Sequence, residues 1–207
     1  DEHALLNEII AEDWQRIHTP RNQFSRPAWQ QLSPLRRRQM LHRFAHAHEL
    51  GTPSKRSLAD FARVLDQATH NATWQLPRGK ALLHRQTLFP LPNRALNSLA
   101  WQQPQIGSLK TLAQQADLTW QPENHAVRTL SGCLRCANKH DRIAIASGHK
   151  NVFQLLQEHG IPPELRHHWA MIANSQNHCI AIANIRSDAC LQGAMLHSAW
   201  LETFQAA

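Results

Sequence analysis

The sequence predicts an α+β fold in two parts: an N-terminal helical domain with a terminal β-hairpin over residues 1–90, a linker over 91–105, and a smaller mixed α/β domain over 106–207. Three observations predict it. Apolar residues recur at three-to-four spacing as far as residue 70, which is the helical period. From Thr73 the pattern changes to short apolar segments of strand type. Pro90, Pro92 and Pro104 punctuate a stretch rich in Asn and Gln, which reads as a connection.

In the first part, Leu6, Ile10, Trp14 and Ile17 form one stripe over residues 2–17, so this segment is predicted helical. Its acids lie toward the N-terminal end, where the helix dipole favours them. Thr19-Pro20 and Arg26-Pro27 break the pattern and mark a loop. Ser33-Pro34 starts a second helix, because Ser caps and Pro at the first position has no N–H to lose. Leu41, Phe44 and Ala45 are its inner face and Gly51 its stop. Thr52-Pro53-Ser54 starts a third helix, to about His70, with Leu58, Phe61, Ala62, Leu65 and Ala68 on its apolar side. The short connection packs these two helices together, basic side chains outward. Residues 72–77 and 80–89, joined at Arg78-Gly79, read as a hairpin.

Beyond the linker, residues 106–112, 117–120, 126–130 and 142–146 read as strands and 150–159 as a helix ended by Gly160. Two apolar runs, 169–173 and 179–185, follow Pro162-Pro163, and residues 194–201 are the predicted last strand.

Composition narrows the function. Hydrophobic residues make up 42% of the 207, enough for a globular core and too many for wholesale disorder. No apolar run approaches the roughly 20 residues a bilayer-spanning helix needs, and no basic-then-apolar leader opens the chain, so a cytoplasmic protein without a membrane partner is expected. The first residue is Asp1, not Met, which suggests a piece of a longer protein. Four cysteines are too few for a disulfide scaffold at this length, and reduced thiols are the simpler reading. There is no Gly-rich phosphate loop, no Gly-x-Ser-x-Gly elbow and no Cys/His nucleophile pattern, so no catalytic residue is assigned.

Charge is the strongest site signal. Lys and Arg outnumber Asp and Glu by 22 to 15, a net charge of +7. Between residues 14 and 63 ten basic residues stand against only Glu49 and Asp60. Such a block is the electrostatic footprint of a phosphate-binding surface. The candidate nucleic-acid contacts are Arg36, Arg37, Arg43, Lys55 and Arg56 in the first part, and Arg135, Arg142, Lys150 and Arg166 in the second. The second group surrounds a predicted strand-to-helix junction, where a helix N-terminus near Gly148-His149-Lys150 would offer N–H groups to a phosphate.

The chain also resembles a family. Asp1-Glu-His-Ala-Leu-Leu resembles the helix that follows the catalytic domain in bacterial tRNA(Ile)-lysidine synthetases. The run from Arg36-Arg37 to Phe44-Ala45 resembles that family's central helical domain, with His42 and Phe44 in its Arg and Trp places. Pro53-Ser54, Leu58 and Arg78-Gly79 continue the likeness. Leu134-Arg135, Asp141-Arg142-Ile143, Lys150 and the run from Leu156 to Arg166 resemble the C-terminal domain, with departures at Ala137, His140, Glu164 and His167.

The resemblance implies a helical domain followed by a mixed domain similar to one in phenylalanyl-tRNA synthetase. It implies ATP-dependent attachment of lysine to the wobble cytidine of an isoleucine tRNA, by way of an adenylated base. ATP with Mg and lysine would serve the whole enzyme as substrates. That chemistry belongs to an N-terminal ATP-pyrophosphatase domain with a Ser-Gly-Gly-x-Asp-Ser loop, which this sequence does not contain. The chain alone is therefore expected to be inactive and to hold no cofactor. Its expected partners are the isoleucine tRNA and that N-terminal domain. Two other readings fit the residues alone. Helix, turn, helix and hairpin is also the order of a winged-helix DNA-binding module, and the charge could serve solubility in a protein-interaction module.

Cys133 and Cys136 have zinc-ligand spacing, with His140 and His149 downstream, but no second ligand pair repeats it. His42 and His46, one helical turn apart, and His167-His168 are read as solvated. Elemental analysis of the purified chain is accordingly expected to find no stoichiometric zinc. About one zinc per chain, lost on Cys136→Ser, would overturn that expectation.

Overall fold

The computed structural model describes residues 2–19 and 23–205, so Asp1, Pro20 and Arg21 lie outside the described residues. The fold is α+β, and the chain divides into two compact units, one through Asn97 and one from Ser98. The second is not the smaller of the two.

The first unit begins with α1 (Glu2–Ile17). Its stripe meets the core from Ile10 onward, whereas Leu6 is 54% exposed. The expected loop at Arg26-Pro27 is instead a short strand, β1 (Phe24–Ser25), and a helical turn, α2 (Arg26–Gln30), capped by Ser25 with Pro27 in its first turn. Arg26 is nearly buried there. Its guanidinium donates to the Asp66 carbonyl at 2.9 Å and to Gln86 Oε1 at 3.0 Å, which ties α2 to two distant segments.

Next come α3 (Pro34–Ala47) and α4 (Lys55–Gln67). Ser54 caps α4 through the Ser57 N–H at 3.1 Å, but the Ser33 side chain makes no cap bond. Helix α3 stops before Gly51, because Glu49 takes the left-handed conformation and turns Leu50 into the core. Helix α4 ends before His70, because Ala68 is already extended.

Three strands follow: β2 (Ala72–Leu76), β3 (Gly79–His84) and β4 (Thr87–Pro92). The expected hairpin is thus part of an antiparallel sheet of order β1-β4-β3-β2. The second turn carries no sequence signal, because Arg85 and Gln86 both adopt positive φ without a Gly or Asn to announce it. Trp74 on β2 stacks on Phe61 of α4 at 4.7 Å and donates to Ser57 Oγ at 2.8 Å. Ile17, Phe24, Trp29, Met40, Phe44, Leu65 and Leu88 fill the core between helices and sheet.

Residues 91–105 are not a bare linker. They hold the end of β4, helix α5 (Asn93–Asn97), a 3-10 turn (Ala100–Gln102) and the first residue of β5 (Gln105–Ser108). Pro90 and Pro92 lie within β4, so proline here does not mark a connection.

The second unit continues with α6 (Leu109–Gln115), β6 (Thr119–Gln121), α7 (His125–Thr129), β7 (Ser131–Cys136), β8 (Arg142–Ile145), β9 (Gly148–Asn151) and α8 (Val152–Glu158). It closes with α9 (Pro163–Arg166), β10 (Ala170–Ala173), β11 (Cys179–Ile182), β12 (Arg186–Ser187), β13 (Met195–His197) and α10 (Ala199–Glu202). A mixed sheet runs β5-β7-β10-β11-β8-β9, with β12 also on β11, and β6 pairs with β13 apart from it. Every residue of β10 and β11 is buried, which explains their continuous apolar runs.

Several expected elements are corrected. The expected strand at 106–112 becomes helical at Leu109, where Ser108 caps α6 through the Thr111 N–H at 3.2 Å. The expected strand at 126–130 is α7, started by Asn124, whose Oδ1 accepts from the Val127 N–H at 3.1 Å. The expected helix at 150–159 begins only at Val152. The last expected strand ends at His197, where Ser198 caps α10.

One feature of the first unit is sensitive to acid. His18 and His48 face each other at 5.7 Å between ring centroids, flanked by Trp14 and Phe44. The Nε2 of each is buried with no hydrogen-bond partner among the described residues. Burial pushes His48 down to about 4, helped by repulsion from His18, and burial lowers His18 as well. The unfolded rings titrate near the ordinary 6.5. Below that value the unfolded chain binds more protons, so this contribution to stability is complete above pH 6.5 and is lost as pH falls toward 4. Urea unfolding followed by tryptophan fluorescence should therefore show a steeper loss of stability over this range in the wild type than in His48→Phe. Equal pH dependence in the two would contradict this origin.

Candidate nucleic-acid interface

Most of the candidate cations are already employed inside the fold. Arg36 leaves α3 toward α1 and grips Asp13 with both arms, Nε to Oδ2 at 2.6 Å and Nη2 to Oδ1. Asp13 is 1% exposed, so its charge depends on this partner. The carboxylate in turn holds Arg36 above its ordinary value. Arg37 lies over the Trp29 ring at 5.2 Å, donates to the Leu32 and Gln30 carbonyls and reaches Asp66 at 3.0 Å. Arg43 covers the Trp14 ring at 5.3 Å.

In the second unit Arg135 pairs both arms with Asp141, at 2.9 and 2.7 Å, and also donates to the Cys136 carbonyl and to Asn177. Only 16% of the Arg135 side chain and 7% of that of Asp141 are exposed. The hydrogen bonds to Asp141 raise Arg135 above its usual range. Lys150 reaches Glu158 at 2.6 Å, and Arg166 Nε donates to the Ile161 carbonyl at 3.0 Å.

A different set is left facing water. On the α3/α4 face, exposed Arg38 and Lys55 border one shallow depression with His42 and Leu58, and neither forms an ion pair among the described residues. Arg56 and Arg63 flank Asp60 at 3.7 and 2.9 Å, all three on the exposed side of α4. In the second unit Arg142 is exposed on β8 without a charged partner among the described residues.

The expected cluster around a helix N-terminus does not form as read. Lys150 sits in strand β9, opposite Ile143, whereas Arg142 pairs with Asn151 on the other face of the hairpin. The N-terminus of α8 is already capped by Asn151, whose Oδ1 accepts from the Gln154 N–H at 3.1 Å.

Sequence reasoning missed Arg78 and Arg94. Arg78 was read as the turn of a hairpin and Arg94 as linker, yet both line one cleft of the first unit with His46, Glu49 and Asn93. For Arg78 the available signal was position, since it stands exposed at the tip of a tight turn, and Arg94, on α5, had none.

Cys133 and Cys136 lie three residues apart in β7, so the pleat sends them to opposite faces of the sheet. No group of three metal-ligating side chains occurs among the described residues. Burial pushes the Cys136, Cys179 and Cys190 thiols up, Cys190 to about 11 with help from Asp188, so none is poised as a thiolate. Among the described residues no helix is long and apolar enough to cross a membrane.

Both units match known protein families. Residues 24–89 match the family described as TilS substrate binding domain, and residues 130–200 the family described as TilS substrate C-terminal domain. The chain is 28% identical over 193 residues to a tRNA(Ile)-lysidine synthase of Neisseria gonorrhoeae, covering 89% of this chain and 42% of that protein. It is 29% identical over 192 residues to the enzyme of that name in Neisseria meningitidis serogroup B, covering 89% of the chain and 44% of the relative. A Chromobacterium violaceum protein of the same name is 26% identical over 196 residues, with the same coverage of 89% and 44%. The chain thus spans less than half the length of these relatives.

Removing one arm of a buried ion pair strands the other charge. Arg135→Ala should destabilise the second unit by about 3–5 kcal/mol, read from chemical denaturation, through the isolated Asp141 carboxylate. A loss under about 1 kcal/mol, the range of exposed pairs, would show that solvent already carries this charge.

Proposed function

The chain belongs to the tRNA(Ile)-lysidine synthase family, and from that premise we propose that it is the tRNA-recognition part of such an enzyme. The observation that carries the reading is that each compact unit matches a substrate domain of one family, and in the same order. In this reading the two units hold an isoleucine tRNA for an ATP-pyrophosphatase domain, which attaches lysine to the wobble cytidine at the expense of ATP. The chain's own part is binding and orientation, in the cytoplasm, with no transfer when it acts alone.

The side chains suited to this are the ones the fold leaves in solvent. Arg38, Lys55 and Arg56 offer charge on the α3/α4 face, and Arg142 on β8. Long, solvated cations of this kind hold phosphates and fix register rather than read bases. Arg36, Arg37 and Arg135 act differently: they hold these surfaces in shape through Asp13, Trp29 and Asp141.

Binding should therefore be strongly salt-dependent. Each phosphate neutralised contributes roughly −0.7 to −0.9 to the slope of log affinity against log salt. Lys55→Glu with Arg142→Glu should weaken binding of an isoleucine-tRNA transcript and flatten that slope, with the circular dichroism spectrum unchanged. Arg36→Glu should instead unsettle the first unit, since it sets a second carboxylate beside Asp13. If the chain prefers a matched DNA duplex to the transcript, the winged-helix reading stands in place of this one.

A further inference from the structure

We propose that the cleft between the end of α3 and the β2–β3 turn is a separate RNA-backbone contact, which takes a phosphodiester between Arg78 and Arg94. The proposal rests on the tRNA reading above but assigns it a site away from the α3/α4 face.

The cleft is bordered by His46 in the last turn of α3 and Glu49 just beyond it, by Arg78 at the turn, and by Asn93, Arg94 and Asn97 of α5. Arg78 is exposed and forms no ion pair among the described residues. Arg94 comes only within 3.9 Å of Glu49, and these two side chains are 89% and 72% exposed. A pair so open to water contributes little, so Arg94 can exchange Glu49 for a phosphate oxygen at small cost. Two guanidinium forks against one carboxylate leave the cleft net positive, and the planar fork suits phosphate better than an ammonium does.

The rim is also fixed before any ligand arrives. The Arg78 N–H donates to the Leu50 carbonyl at 2.9 Å, and the Arg78 carbonyl accepts from the Asn93 N–H at 2.9 Å. One residue thus stitches together the α3–α4 connection, the β2–β3 turn and the start of α5. The packing beneath is tight: a Cβ on Gly79 would meet the Leu91 carbonyl oxygen at 2.5 Å. Gly51, at φ +89°, would bring a Cβ to 3.0 Å from Pro77. With the backbone held in this way, binding orders only side chains, which keeps its entropic cost low.

The ligand is a polymer backbone rather than a free anion for a chemical reason. Both arginines stand out in solvent, where screening leaves a single small anion little net attraction. A phosphodiester held nearby by other contacts arrives at high effective concentration and needs only a modest local gain.

The test uses the full chain and an isoleucine-tRNA transcript, with filter binding from 50 to about 200 mM salt. Arg78→Ala with Arg94→Ala should weaken binding several-fold at low salt and reduce the salt slope by about one per arginine. The double lysine variant should keep most of the slope. Arg94→Ala alone, which leaves the turn untouched, should lose about half as much as the double alanine variant. Lys110→Ala with Arg128→Ala removes the same charge where both cations already serve Glu123, at 2.9 and 3.3 Å, and should leave the slope unchanged.

An unchanged slope in the double alanine variant, with Lys55→Glu and Arg142→Glu still weakening binding, would overturn the cleft and leave the tRNA reading intact. An equal effect from the Lys110/Arg128 control would reduce the cleft to a share of the overall field and overturn it as a site. Saturable binding of inorganic phosphate, lost in the double alanine variant while tRNA affinity is unchanged, would overturn it in favour of a small-anion site. No tRNA binding by the wild-type chain would overturn both readings together.

Discussion

Two carboxylates shut away from water organise this chain. Asp13 and Asp141 are 1% and 7% exposed, and an ionised carboxylate in such a place is tolerable only with a close cationic partner. Each has one in a two-armed guanidinium. Arg36 joins α3 to α1 across the first unit, and Arg135 joins β7 to the loop ahead of β8 in the second. The Asp141 carboxylate also accepts from the Asn138 N–H at 2.6 Å, so it sets the loop as well as the pair. Arg26 and Arg37 serve the fold by another route, since their bonds to carbonyls and side chains secure the short helix α2. Part of the positive charge that looks like a ligand footprint on paper therefore also serves the fold.

This is why the fold was more legible than the site. The periods of α1, α3 and α4 could be read because each helix buries one face, and β10 and β11 because they bury both. Where the burial pattern is short, sequence reasoning failed. Five residues of α7 and four of β9 are too few to separate a period of 3.6 from one of 2. There the capping side chains, Asn124 and Asn151, decide the structure, and each could have been read as a start signal. The β3–β4 turn left no such trace, since Arg85 and Gln86 adopt positive φ against their own preference.

Side-chain commitment is invisible at that level. Arg36, Arg37 and Arg38 are adjacent and identical in the sequence, yet α3 turns about 100° per residue and sends them to three destinations. Arg36 finds Asp13, Arg37 finds Trp29 and Asp66, and Arg38 finds solvent. Asp13 and Asp66 lie 23 and 29 residues from their partners, so no local pattern could have revealed the pairing. Arg142 and Lys150 are the sheet counterpart: charge placed them in one cluster, and register placed them on opposite faces.

The uncommitted cations themselves divide by how they are mounted. Lys55 stands exposed at the start of α4, on a flexible stem that loses much rotamer freedom when it settles on a single partner. Such a residue adds charge to a broad field and accelerates encounter without demanding one geometry. Arg78 is attached to a turn whose backbone is bonded on both sides and backed by Gly79, so the position of its Cα is set by the fold. A guanidinium there has as many torsions as a lysine, but its planar, directional fork loses less freedom per hydrogen bond formed. For a long, irregular polyanion the two kinds are complementary. Diffuse charge brings the backbone to the surface, and only a cation fixed in place can define which phosphate stops where.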